Sequence, residues 1–184
     1  MNLPNKLTIA RVCMIPFFIL VLQAGMLENI PLPPETARLI AMGIFILASI
    51  TDWLDGFIAR KYNLSTDFGR FMDPLADKIL VMSAMVYMVM LGDIGAWVLI
   101  LIESREFLIS GVRMVAATKN TVIAASIWGK AKTVVQMIMI PVVLADLPNQ
   151  FLDIAGTILI YAAVALAVIS AIDYIRKNIG VLRT

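Results

Sequence analysis

Residues 36–91 read TARLIAMGIFILASITDWLDGFIARKYNLSTDFGRFMDPLADKILVMSAMVYMVML. One apolar run enters from the left, another leaves to the right, and five aspartates stand between Thr51 and Lys78. A bilayer core of about 30 Å takes roughly 20 mostly apolar residues of helix. Each flank therefore reads as a membrane span, and the acidic segment as the connection between them. A chain built for lipid has to have a reason for concentrating negative charge there.

The same pattern extends in both directions. Of the 184 residues 61% are hydrophobic, and the mean hydropathy is +0.92, well above a soluble domain that is about half apolar. Six stretches meet the length requirement: Leu7 to Ala24, Thr36 to Ile58, Pro74 to Leu91, Gly95 to Ala117, Ile127 to Ala145 and Leu152 to Tyr174. The expected fold is all-α: six transmembrane helices with short connections and one membrane domain over residues 1–184. The first stretch lacks a clear small-residue cleavage site and contains Arg11 and Pro16, so it is read as a span rather than a cleaved signal.

Charge orients these spans. Lys6, Arg11, Arg60, Lys61, Arg70, Lys119, Lys130, Lys132, Arg176, Lys177 and Arg183 all fall on one side of the predicted membrane. The opposite loops hold Glu28, Glu35, Asp93, Asp146 and Asp153, with Arg38 their only basic residue. By the positive-inside rule both termini are cytoplasmic, and the acidic segment faces the cytoplasm as well. A net charge of only +2 gives no support to a nucleic-acid partner.

Composition also excludes chemistry. Without histidine there is no Ser-His-Asp or Cys-His pair and no histidine-ligated zinc. The single cysteine, Cys13, lies in an apolar run and reads as a small hydrophobe in packing. Catalysis is left to carboxylates, lysines and arginines.

Asp52 and Asp55 are three residues apart, and Asp73 and Asp77 four apart, so on helices each pair shares a face. Pro74 suits the first position of a helix, with Asp73 as its cap. A short connection, with Gly69 available for the turn, lets four carboxylates surround one small volume. Such a group needs raised pKa values, paired bases or bound cations. Hard oxygen donors favour Mg²⁺, Mn²⁺ or Ca²⁺, and two bridged divalent ions would hold a diphosphate for phosphoryl displacement. Gly56 and Ala59, beside the first pair, leave room for a ligand to approach the backbone. The bland alternative is a solvated loop with helix caps.

Taken together, Asp52-x-x-Asp55-Gly56-x-x-Ala59-Arg60, eight residues, and Gly69-x-x-x-Asp73-x-x-x-Asp77 resemble the signature of the CDP-alcohol phosphotransferase family. The resemblance implies a six-helix membrane enzyme, usually a homodimer, in which an alcohol displaces CMP from a CDP-linked donor. It implies two divalent ions, Mg²⁺ or Mn²⁺, among Asp52, Asp55, Asp73 and Asp77, with Asp77 as general base. Gly56, Ala59, Arg60 and Gly69 would border the donor nucleotide, with Asn5 and Thr8 as further nucleotide contacts and Arg11 beside them. The stretches LPNKLTIARV, FGRFMDPLADK, ESREFLISGVRMVAA and GKAKTVVQM resemble the bacterial branch that joins CDP-diacylglycerol to glycerol 3-phosphate at the inner membrane.

A phosphorylated acceptor needs cations. Arg105 and Arg113, two turns apart, are read as near one face of the fourth span, with Glu103 and Glu106 as local partners. With Lys130 and Lys132 they form the expected acceptor-phosphate pocket, although the lysines also serve as topology-setting charge. The competing functions are a relative using another alcohol (inositol phosphate, serine or phosphatidylglycerol) and a cation transporter. The latter lacks a carboxylate relay in the outer halves of the spans.

Overall fold

The computed structural model describes residues 3–62, 67–119, 123–124 and 126–182, and places side chains at 7–58, 61–62, 72–73, 75–119, 123–124 and 126–179. Among these residues six helices follow in order: α1 Leu3–Met26, α2 Pro34–Tyr62, α3 Asp67–Met90, α4 Ala96–Thr118, α5 Ile127–Ala145 and α6 Gln150–Leu182. No strand occurs among the described residues. Among the described residues, four helical stretches are long and apolar enough to cross a membrane: Leu7–Met26, Pro34–Ile58, Ile127–Ala145 and Gln150–Ile179. The other two helices, α3 and α4, interrupt their apolar runs with Asp73, Asp77 and Lys78 and with Glu103, Arg105, Glu106 and Arg113. Charge, rather than length, sets them apart.

The third helix begins seven residues before the expected Pro74, at Asp67, so Asp73 lies inside α3 and does not cap it. Pro74 is the eighth residue of α3, past its second turn, where a proline removes one backbone hydrogen bond and crowds the carbonyl four residues earlier, yet the helix carries through it.

The chain divides into two compact units. The first comprises residues 1–88 and 140–148, and the second residues 89–139 and 149–184. In the first, α1 packs along α2 through Phe18, Leu22, Ala37, Ala41, Phe45 and Ala48, all at most 2% exposed. Small residues allow the close approach, since a Cβ on Gly25 would stand only 2.4 Å from the Ala37 methyl. Tyr87 of α3 donates to Gln23 of α1 at 3.0 Å. Arg38, buried on α2, donates to the carbonyls of Leu144 and Val143 at 3.2 and 3.1 Å, and lies 3.6 Å from the Asp146 carboxylate. The last carbonyls of α5 thus find a cation that satisfies them.

In the second unit α4 turns Val98, Ile102, Arg105, Ile109, Val112 and Ala116 inward and packs on α6. Ala163 and Ala167 are fully buried there, as small residues at a helix contact should be. The long α6 is interrupted at Asn178 (φ −117°, ψ 15°), whose side chain donates to the Tyr174 carbonyl. Gly92, with φ +83°, supplies the left-handed turn between α3 and α4.

Outward faces are apolar. Phe17, Leu20, Ile100, Phe107 and Ile158 are each more than 60% exposed. A soluble protein rarely shows such a surface, whereas lipid is its natural cover. Cys13 is exposed with them rather than packed inside, which corrects the expectation for that residue. Trp53 and Phe57 stack at 5.9 Å with Lys61 placed 5.8 Å from the Phe57 ring, a pairing suited to a membrane interface.

Candidate active site

Three elements of the first unit bring charged groups together. Asp52 and Asp55 stand one turn apart near the C-terminal end of α2, and Asp73 lies in the second turn of α3. Between them comes Arg11 of α1, 1% exposed. Its Nη1 is 2.9 Å from Asp52 Oδ1 and 3.8 Å from Asp73 Oδ1, and its Nη2 donates a close hydrogen bond to Asp55 Oδ2. Thr8, one turn before Arg11, donates to Asp73 Oδ1 at 2.5 Å. Asp55 is 3% exposed, so its charge is removed from water and depends on Arg11 for compensation.

The balance is incomplete. One guanidinium faces three carboxylates: Nη1 is ion-paired with Asp52 and Asp73, while Nε is buried without a hydrogen-bond partner among the described residues. As they stand around Arg11, no three acidic, histidine or cysteine side chains among the described residues form a group that could hold a metal ion. By donor type the set nevertheless suits a hard divalent cation, because every ligand atom is a carboxylate or hydroxyl oxygen. The protein's own arginine sits where a cation is required.

Asp77 lies one turn beyond Asp73 on α3, half-buried, and Gly56 follows Asp55 on α2, also half-buried. Asn5, Ala59, Arg60 and Gly69 lie outside the residues whose side chains are described.

The expected acceptor residues form a second arrangement, within the second unit. Arg105 Nη1 donates to Glu106 Oε1 at 2.7 Å, and Lys132 Nζ of α5 donates to the same oxygen at 2.9 Å. Arg105 Nε donates to Ser170 of α6 at 2.9 Å, and Ser170 in turn donates to the Ala167 carbonyl. Two cations share one carboxylate, and Glu103 is a second carboxylate acting on Lys132. Arg105, Lys132 and Ser170 are all buried, which raises the cost of leaving any of these groups unpaired.

Arg113 and Lys130 are placed differently. Eight helical residues rotate by about 80° past two full turns. Arg105 is buried while Arg113 is exposed, its Nε donating to the buried Tyr174 Oη at 3.2 Å and its guanidinium 5.8 Å from that ring. Ser170 and Tyr174 are one turn apart on α6, so both arginines reach the same face of that helix while differing in exposure. Lys130, two residues from buried Lys132, is exposed on the other side of α5. Ser170 and Tyr174 carried no sequence signal beyond being polar groups in an apolar span. Arg11 did carry one: an arginine in a lipid-length run requires an acidic partner.

Together these features define a helical membrane protein in which carboxylates from neighbouring helices gather on one buried cation. The chain belongs to the CDP-alcohol phosphatidyltransferase family, whose profile matches residues 1–169. It is 41% identical over its full length to a CDP-diacylglycerol–glycerol-3-phosphate 3-phosphatidyltransferase of Bacillus subtilis, covering 98% of that protein. It is 39% identical to an enzyme of the same name in Haemophilus influenzae, with 98% of this chain and 95% of the relative aligned. A probable phosphatidylglycerophosphate synthase of Mycobacterium tuberculosis is 40% identical over 99% of this chain and 85% of its own.

Proposed function

We propose that this enzyme transfers the phosphatidyl group of CDP-diacylglycerol to glycerol 3-phosphate, giving phosphatidylglycerophosphate and CMP. The observation that carries the reading is the convergence of Asp52, Asp55 and Asp73 on one cationic centre, in a chain about 40% identical, nearly end to end, to relatives bearing that activity in their names. Six membrane spans in one domain over residues 1–184, both termini in the cytoplasm of a bacterial inner membrane and a homodimeric assembly complete the reading. The charge asymmetry of the loops supports the orientation.

Two divalent ions, Mg²⁺ or Mn²⁺, held by Asp52, Asp55, Asp73 and Asp77, would neutralise the donor diphosphate and the departing CMP. Asp77 accepts the proton of the acceptor hydroxyl. The freed oxygen forms a bond to the phosphatidyl phosphorus, and the bond from that phosphorus to the CMP oxygen breaks, its electron pair leaving with CMP. Gly56 and Ala59 leave room for the cytidine, and Arg60, Gly69, Asn5 and Thr8 border the nucleotide. Arg105 and Lys132 bind the acceptor phosphate, assisted by exposed Arg113 and Lys130.

Incubating purified protein with CDP-diacylglycerol, Mg²⁺ and each candidate alcohol separately tests this. CMP release with glycerol 3-phosphate well above that with serine, inositol phosphate or phosphatidylglycerol is expected. Preference for another alcohol would reject the acceptor assignment while leaving the family chemistry intact.

A further inference from the structure

Glycine is the poorest helix former among residues other than proline, so one inside a helix calls for a reason. Gly43 of α2 and Gly111 of α4 have nothing within 4 Å of an added Cβ, and Gly25 lets α1 approach Ala37. Gly129 of α5 differs from all three. A Cβ there would stand 2.8 Å from Arg105 Nη2, 3.4 Å from Ser126 Oγ and 4.0 Å from Arg105 Cζ. Its tightest neighbour is the charged tip of a buried arginine.

The remaining nitrogens of that guanidinium are held from other directions. Nε is fixed by Ser170 of α6, and Nη1 by Glu106 of α4. Each of the three nitrogens therefore meets a different helix, and α5 contributes its share through an absent side chain. Ser126 stabilises this part of α5 by accepting from the Gly129 N–H at 3.1 Å, so the backbone facing the guanidinium is itself anchored.

We propose that Gly129 is a positioning residue for the acceptor: the bare backbone at this position leaves the space that sets the Arg105 guanidinium in its phosphate-binding orientation. The inference rests on the reading of Arg105 as an acceptor-phosphate contact. Ser170 is the second positioning residue, acting on Nε. A planar guanidinium recognises phosphate through paired, directional N–H donors, so a shift of its tip weakens binding without removing its charge.

The test is steady-state kinetics of Gly129→Ala, Ser170→Ala and Arg105→Lys in mixed micelles, each substrate varied separately, with thermal unfolding of every variant. Since the crowded atom ends a flexible side chain, Gly129→Ala keeps the fold, and its melting temperature is unchanged or higher. Its KM for glycerol 3-phosphate rises by about tenfold, as expected for one weakened charge-assisted hydrogen bond. KM for CDP-diacylglycerol stays within roughly twofold, because only the acceptor side is disturbed. Ser170→Ala shifts the same constant in the same direction. Should Arg105→Lys raise that KM while both other variants leave it unchanged, the positioning role is overturned and the acceptor reading survives. Should Arg105→Lys also leave it unchanged, the acceptor reading fails and takes the inference with it. A lower melting temperature for Gly129→Ala would overturn the claim that only the arginine's tip has to yield.

Discussion

Arg11 is where the carboxylates of α2 and α3 meet, and it is 1% exposed. Removing one member of a buried ion cluster leaves uncompensated charge and costs about 3–5 kcal/mol. Arg11→Gln should therefore melt well below the parent protein in chelator, with part of the loss recovered on adding Mg²⁺ as a replacement counter-charge. Unfolding curves that coincide in chelator would show that Arg11 does not hold the cluster together. Asp77 and Asp55 should separate by role. Asp77→Asn is expected to lower turnover by about 10²-fold or more, the range of a lost general base, while retaining CDP-diacylglycerol binding better than Asp55→Asn does. Near-normal turnover would remove Asp77 from the proton transfer. The acidic residues themselves were legible from spacing alone, because three- and four-residue intervals place side chains on one helical face. Arg11 as their common partner was not, since it comes from a helix whose contact with α2 is a tertiary fact.

The charges of α3 and α4 distinguish them from the four helices that length and composition fit for lipid. On α4 the inward stripe runs through Arg105, while the more exposed Arg113 lays its guanidinium on the buried Tyr174 of α6. Arg113→Ala is accordingly expected to raise the KM for glycerol 3-phosphate by severalfold, consistent with one exposed cation, and more than that for CDP-diacylglycerol. Equal changes in both constants would place Arg113 outside the acceptor site. On α2, Arg38 satisfies two carbonyls at the end of α5. Arg38→Met should lower stability by about 1–3 kcal/mol through the buried groups left unpaired, measured by denaturant unfolding in detergent micelles. Helix existence was readable from apolar run length. The start of α3 at Asp67 was not, because Pro74 resembles a first-turn proline and only the observed backbone shows it to lie past the second turn.

For the molecule as a whole, the asymmetry of basic residues predicts which loops face the cytoplasm. With Cys13 replaced by alanine, a cysteine at Glu28 should be labelled by a membrane-impermeant thiol reagent in intact spheroplasts, and one at Lys119 only after permeabilisation. The reverse pattern would invert the topology and put the carboxylates on the wrong side for a soluble phosphorylated acceptor. The amino-acid order alone determined that this is an all-helical chain made for lipid, that its acids come in paired helical registers and that those pairs match a family signature. Each of these is a local property, set by run length, by the helical repeat and by residue type. Tertiary structure alone decided that Asp52, Asp55 and Asp73 meet Arg11, that Arg105 is buried while Arg113 is not, and that Gly129 lies against a guanidinium. Those outcomes depend on how one helix rotates against its neighbours, and the interval between two residues on a single helix carries no information about that.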